Sequence, residues 1–261
     1  MKYNGIDISS YQKGINFDII QKNGIDFIIL RGGYTGWGTG KSYYKDTCFD
    51  DFYFECKKRK IPVGVYWYSC ANSYELGKAE ATFLYNKCLK GKFFEYPIYI
   101  DIEDSHHQLK SKQGTTNAIC GFCETLEKLG FYAGVYANRN WFTNCIYLNQ
   151  IKQFDKWVAV WGKDKPTFTS YGLWQNSDTG RIGGKRVDTD ISYVNYPEII
   201  KNKGLNGYGK SVQKKKTNDE IAKEVIQGKW GNGKERKDKL TKAGYNYNEI
   251  QKIVNKWWNN E

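Results

Sequence analysis

From residue 1 to 203, short runs with an apolar–polar alternation of period two are separated by longer stretches whose apolar residues recur every three or four positions. That arrangement is the mark of parallel strands joined by helical crossovers. It predicts strands at Asn4–Ile8, Asp26–Arg31, Pro62–Tyr68, Tyr96–Ile102, Phe131–Ala137, Lys156–Trp161, Gly172–Gln175 and Val187–Ile191. Eight strands within about 200 residues suit a closed α/β barrel at the small end of its range. Alternation is regular up to Asn138, and the gaps beyond it are short and aromatic-rich. The expected fold is therefore an irregular TIM-like barrel whose helices are thin or missing in the second half, followed by a small all-α module.

The pattern breaks at Gly204, Gly207 and Gly209, and Lys214–Lys216 follow. Glycine-rich, like-charged sequence reads as a flexible, self-repelling connector. Residues 1–203 are thus the catalytic-sized barrel, 204–216 a basic linker and 217–261 a second module. In that module Thr217-x-x-Glu220 and Asn246-x-x-Glu249 are capping boxes ahead of the apolar series Ile221, Ala222, Val225, Ile226 and Ile250, Ile253, Val254, Trp257. A middle helix ends at Gly244, giving three in all, with Trp230, Leu240 and Trp257 expected in the core.

Composition narrows the function classes. The 261 residues are 40% hydrophobic and 16% aromatic, enough to build a packed interior and to exclude a disordered chain. No stretch approaches the roughly 20 apolar residues that span a bilayer, so membrane insertion is not expected. The start, MKYNGIDISSYQ, lacks a signal-peptide layout. Synthesis in a cytoplasm, with release by some other agent, is the expectation. Forty Lys and Arg against 28 Asp and Glu give +12, of which +4 lies in 204–216 and +2 in 217–261. Charge spread this thinly favours an anionic surface such as a bacterial wall over a nucleic acid, which wants one basic stripe. Seven scattered cysteines read as reduced thiols, and Cys120 and Cys123 as two core residues one helical turn apart.

Chemistry concentrates in Pro97-Ile-Tyr-Ile-Asp-Ile-Glu-Asp104. With period two, Ile98, Ile100 and Ile102 share one face, and Tyr99, Asp101 and Glu103 the other. Isoleucines turned toward helices would set both acids inside the C-terminal end of a barrel strand, where such barrels carry their sites. Alternate Cα atoms on a strand are roughly 6.6 Å apart, near enough for one acid to keep the other protonated. Paired acids tuned apart are what glycosidic cleavage needs. Asp7 in the first strand and Asp188 in the last would join them if the barrel closes; Asp190 has the same parity. Singly, each acid could merely cap a turn. Aromatics that suit sugar faces gather at the same strand ends: Tyr34, Trp37, Tyr66, Trp67, Tyr68, Tyr136, Trp141, Trp161 and Trp174, about half of them core. Tyr66 is expected to face inward. The adjacent His106 and His107 diverge, so an all-carboxylate site is what remains for a metal, and no metal or cofactor is expected.

Gly5-Ile-Asp7-Ile-Ser9, Arg31-Gly-Gly-Tyr34, Gly64-Val-Tyr66-Trp-Tyr68, Ile100-Asp101-Ile-Glu103, Trp174-Gln175 and Val187-Asp188-Thr-Asp190 together resemble the glycoside hydrolase family 25 muramidases, many of them phage endolysins. Trp67-Tyr68 stands where the family more often has His-Phe. The tail, with Glu220-Ile-Ala and Trp230-Gly-Asn-Gly-x-x-Arg236, is similar to the wall-binding repeat of some pneumococcal-phage-type lysozymes. The resemblance implies hydrolysis of the β-1,4 bond between N-acetylmuramic acid and N-acetylglucosamine in peptidoglycan. It implies Glu103 as general acid, Asp101 as the carboxylate beside the acetamido group or developing cation, and Asp7 and Asp188 in support. Substrate contacts are expected from Tyr34, Tyr66, Tyr136, Trp174 and Asp190, with a muropeptide on the tail module and a monomeric enzyme. The alternative is a non-catalytic wall-binding protein using the barrel as scaffold.

Overall fold

The computed structural model describes residues 2–36, 42–104, 111–162, 164–209 and 216–258. The chain divides into two compact units, Met1–Lys210 and Ser211–Glu261. In the first, β1 (Tyr3–Ile8), β2 (Phe27–Thr35), β4 (Val63–Tyr68), β5 (Ile98–Asp101), β6 (Ala133–Asn138), β7 (Asp155–Ala159) and β8 (Leu173–Ile182) lie parallel in that order, and β9 (Lys185–Ser192) closes the barrel between β8 and β1. A three-residue strand, β3 (Tyr43–Lys45), pairs with the far end of β2 outside the ring. All eight runs read from the alternation are barrel strands; β3 is too short to show a period.

The last strand departs from the all-parallel expectation. β9 is antiparallel to both neighbours, because Gly183 and Gly184, at φ +60° and +81°, make a two-residue hairpin turn from β8. Two successive positive φ values suit glycine and match the twist of the flanking strands. Side-chain alternation does not depend on strand direction, so Asp188 still points inward, from the first half of its strand and not its C-terminal end.

Crossover helices α1 (Phe17–Lys22), α2 (Phe49–Lys58), α3 (Tyr74–Leu84) and α4 (Lys112–Lys128) cover the first half of the barrel. After β6 only short turns follow, until α5 (Tyr196–Lys203). Period two then divides the apolar side chains into two layers. Ile6, Ile8, Ile28, Leu30, Val63, Val65, Trp67, Ile98, Ile100 and Ile102 point outward beneath the helices. Phe27, Ile29, Tyr99, Tyr136, Trp157 and Leu173 fill the interior. Trp157 is the hub of the latter, with ring centroids 4.5 Å from Tyr136, 5.3 Å from Tyr99 and 6.1 Å from Tyr66. Tilted pairs of this kind add about 0.5–1.5 kcal/mol each beyond the area they bury. Asp155 lies at the lower end of this layer, its charge made tolerable by donors from the Tyr99 and Tyr196 hydroxyls. An interior packed this tightly leaves free space at the upper mouth.

Barrel packing runs past the expected start of the linker. Asn206 is fully buried, donating to the Tyr96 carbonyl (2.8 Å) and accepting from the Tyr132 amide (2.7 Å), and the Tyr208 hydroxyl bonds Glu95. Gly204 is the left-handed cap of α5 (φ +64°), not the start of a spacer. Residues 210–215, which include Lys214, lie outside the described ones.

The second unit holds α6 (Asn218–Ile226), α7 (Gly233–Lys242) and α8 (Tyr247–Trp258). Thr217 and Glu220 form a reciprocal capping box. Asn246 caps α8, while Glu249 accepts from Asn218 on the first helix instead of reaching back. The core is Ile221, Ala222, Val225, Leu240, Ile250 and Val254; of the three residues expected in it Leu240 is buried there, and Trp230 and Trp257 are half-buried and packed against it. Among the described residues no helix is long and apolar enough to cross a membrane. All seven cysteines are free, with Cys123 buried and Cys120 half-buried on α4.

Candidate active site

Three adjoining cavities of about 710, 430 and 580 Å³ open at the barrel mouth. The first and second share Asp7, Tyr66, Asp101 and Asp188; the second and third share Tyr136 and Trp161; Glu103 lines all three. The result is an elongated cleft with Glu103 at its middle, a shape that admits a linear polymer.

The sheet explains the convergence. Asp101 ends β5 and lies in register with Tyr68 on one side and Tyr136 on the other. Asp7 is directly across from Asp188. Asp7 and Asp101 are 8% and 3% exposed, whereas Glu103, two residues on and past the strand, is exposed to the cleft. Burial holds the carboxyls of Asp7 and Asp101 well above the usual carboxylate range. Asp188 and Glu103 push Asp7 further the same way, and Glu103 and Asp7 do so for Asp101. Glu103 is raised too, first by its surroundings and then by Asp188 and Asp104. Like charges crowded in a poorly solvated cup cannot all ionise, so protons are retained there at pH values where free acids have lost them.

Gln175 is the hydrogen-bonding hub of the cup. Its amide donates to Asp7 Oδ2 (2.9 Å) and Asp188 Oδ2 (3.4 Å) and accepts from the Tyr136 hydroxyl (2.9 Å) and Trp161 Nε1 (3.1 Å). All the amide's bonding capacity is used. Below it, Asp190 Oδ1 accepts from Trp157 Nε1 (2.8 Å), and the Asp190 carboxyl is held well above the usual carboxylate range by burial and then by the neighbouring charge of Asp7. Asp190 is 1% exposed and lines none of these three cavities: it supports Asp7 from beneath and is not placed for the substrate contact expected of it.

Of the expected aromatic contacts, Tyr66 and Tyr34 line the first cavity and Tyr136 the second and third. Trp174 does not reach the cleft. It is 4% exposed and its Nε1 is spent on the Val160 carbonyl, because alternation turns it away from the face that Gln175 occupies. Trp67 and Trp141 are likewise buried, while Trp161 and Tyr68 line the cleft. Trp37, His106 and His107 lie outside the described residues. Residue type alone singles out neither Gln175 nor Arg31 in the sequence. Arg31 continues the inward series from Phe27 and Ile29, bonds Asp46 Oδ2 (2.7 Å) and Ser10 Oγ (2.8 Å), and lies 5.1 Å from the Tyr11 ring centre. A lone charge on an apolar inward face was the signal available. Among the described residues, no group of three or more His, Cys, Asp or Glu side chains is disposed to hold a metal ion.

Comparison with known proteins bears on the same residues. The chain is 30% identical over 208 residues to the lysozyme of Streptococcus phage Cp-7, covering 74% of this chain and 55% of that protein. It is 26% identical over 188 residues to the autolytic lysozyme of Clostridium acetobutylicum, covering 72% of this chain and 54% of that one. It thus spans just over half the length of these relatives. The crystal structure of the bacterial lysozyme from Streptomyces coelicolor superposes with a TM-score of 0.65 at 22% identity, covering 79% of this chain and 98% of that one, a likeness of fold. Residues 219–257 match the CW_7 repeat. Residues 6–185, which carry the barrel from β1 to the start of β9 with Asp7, Asp101 and Glu103, match glycosyl hydrolases family 25, and the chain belongs to that family.

Proposed function

We propose that the chain is a peptidoglycan muramidase of the endolysin type, cleaving the β-1,4 bond from N-acetylmuramic acid to N-acetylglucosamine. The observation that carries this reading is Glu103: open to the cleft, lining all three cavities, and held toward its protonated form by its surroundings and by Asp188. A carboxyl poised this way is a proton donor. In the proposed step Glu103 gives its proton to the glycosidic oxygen, which takes the electron pair of the breaking bond to C1 of the muramoyl residue. Asp101 faces the positive charge growing at C1 and the neighbouring acetamido group. Water then adds to C1 and returns a proton to Glu103. Asp7 and Asp188 keep the cup electronegative, and Gln175 sets their orientation. The similarity to proteins named lysozyme supports this chemistry. The match to the CW_7 repeat supports a wall-binding role for residues 217–261, with the muropeptide as ligand, and leaves the unit that ends at Lys210 as the catalytic domain. Tethering the catalyst to an insoluble polymer raises its effective concentration there.

The test is the pH profile of reducing-end release from purified sacculi. The active form needs Glu103 protonated, so rate falls as pH rises through its elevated pKa. Asp188 is the leading charge that raises it. Asp188→Asn is therefore expected to move the alkaline limb to lower pH. No release from sacculi at any pH, or an alkaline limb that stays put or moves up in this variant, would refute the assignment.

A further inference from the structure

The cleft-lining cations are not equivalent. Arg31 is paired with Asp46 at 2.7 Å, Lys45 with Asp50, and Arg186 with Asp178 at 2.9 Å. Arg139, which lines the third cavity, has no carboxylate within ion-pair distance among the described residues. Its guanidinium lies 5.4 Å from the ring centre of the half-buried Phe168, a stacking that orients the group without neutralising it. Across the same cavity stands Trp161, 59% exposed. A large aromatic so exposed is ordinarily loose, yet this one is fixed. Its Nε1 bonds Gln175 Oε1 at 3.1 Å, and the amides flanking it, of Val160 and Gly162, bond the Gln175 and Asn176 carbonyls at 3.2 and 3.0 Å. One end of the cleft therefore offers a rigid apolar face beside an uncompensated, oriented cation, within a cavity that Glu103 also lines.

We propose that Arg139 and Trp161 form a subsite for the acidic substituent of a muramoyl residue: Trp161 takes the sugar face and Arg139 a carboxylate of the lactyl–peptide arm. The inference rests on the muramidase reading and deepens it by assigning substrate charge selectivity to the third cavity. A planar fork of donors suits a carboxylate better than any neutral sugar hydroxyl. A uniform polymer of N-acetylglucosamine carries no such group.

The test compares wild type with Arg139→Gln on soluble, uncross-linked peptidoglycan strands and on the same strands after carbodiimide coupling of their carboxylates to methylamine. On native strands the variant is expected to raise KM about tenfold, equivalent to about 1.4 kcal/mol, with kcat within about twofold. On amidated strands the two enzymes should coincide. On native strands the lactyl carboxyl is held in the amide to the stem peptide, so the defect there assigns a stem-peptide carboxylate. Strands stripped of peptide, whose lactyl carboxylate is free, show whether Arg139 takes that group as well if the defect persists or the stem peptide alone if it vanishes, and either upholds the proposal. Equal KM values on native strands, or a defect of the same size on amidated ones, would overturn it. Wild type that cleaves neither preparation would instead sink the muramidase reading. The subsite is then judged by strand binding, where Arg139→Gln must lose affinity for native strands and not for amidated ones.

Discussion

Glu103→Gln is expected to lower reducing-end release from sacculi by about 10²–10⁴-fold, the usual contribution of a positioned acid. The amide keeps the shape of the side chain but has no proton to give to the glycosidic oxygen. The cleft and the helical unit at residues 217–258 are untouched, so the variant should still sediment with sacculi. It should also melt at a higher temperature than wild type near neutral pH. The sign follows from the raised pKa of Glu103, Asp101 and Asp7. The native cup binds protons more tightly than the unfolded chain does, so its charges oppose folding above the ordinary carboxyl range, and the opposition eases as pH falls through the elevated values. Replacing one crowded charge by a neutral amide removes part of that opposition, the familiar exchange of stability for function. Calorimetry and turnover on one preparation test both halves. A variant that lyses at the wild-type rate would remove Glu103 from the chemistry.

Gln175→Leu should give the largest loss of stability at the site. Leucine matches the volume but makes none of the four bonds that reach Asp7, Asp188, Tyr136 and Trp161. Trp161 is exposed and recovers its bond with water. Tyr136 and Asp7, 7% and 8% exposed, do not. Each buried group left unpaired costs about 1–3 kcal/mol, so the two together cost about 2–6 kcal/mol. For a unit of this size each kcal/mol lowers Tm by about 2–4 °C. Activity should fall as well, because Asp7 loses the donor that favours its charged form. A Tm unchanged from wild type would show that Gln175 is incidental to the cup.

These two residues mark where the sequence could and could not be read. Glu103 was legible because strand alternation needs no knowledge of the strand's partners: three isoleucines toward the helices force Tyr99, Asp101 and Glu103 to the other side. The meeting of Asp7 and Asp188 followed from closure alone. The direction of β9 did not, because it is set by the Gly183–Gly184 turn, which lies between two alternating runs and has no period of its own. Residue type points to Trp174, but strand parity, which outranks type, gives the inward place to Gln175. Gly204–Gly209 look like spacer because composition does not reveal that the Asn206 amide bridges Tyr96 and Tyr132, more than 70 positions away in sequence. Long-range bonds of a single side chain leave no periodic trace.

The acids gathered at the barrel mouth are proposed to cleave a glycan on the reducing side of muramic acid. Mass analysis of sacculus digests after borohydride reduction tests it most directly. The account predicts new chain ends bearing reduced N-acetylmuramic acid, produced by wild type and absent with Glu103→Gln. Ends bearing reduced N-acetylglucosamine, or intact glycan in the presence of folded wild-type protein, would contradict it.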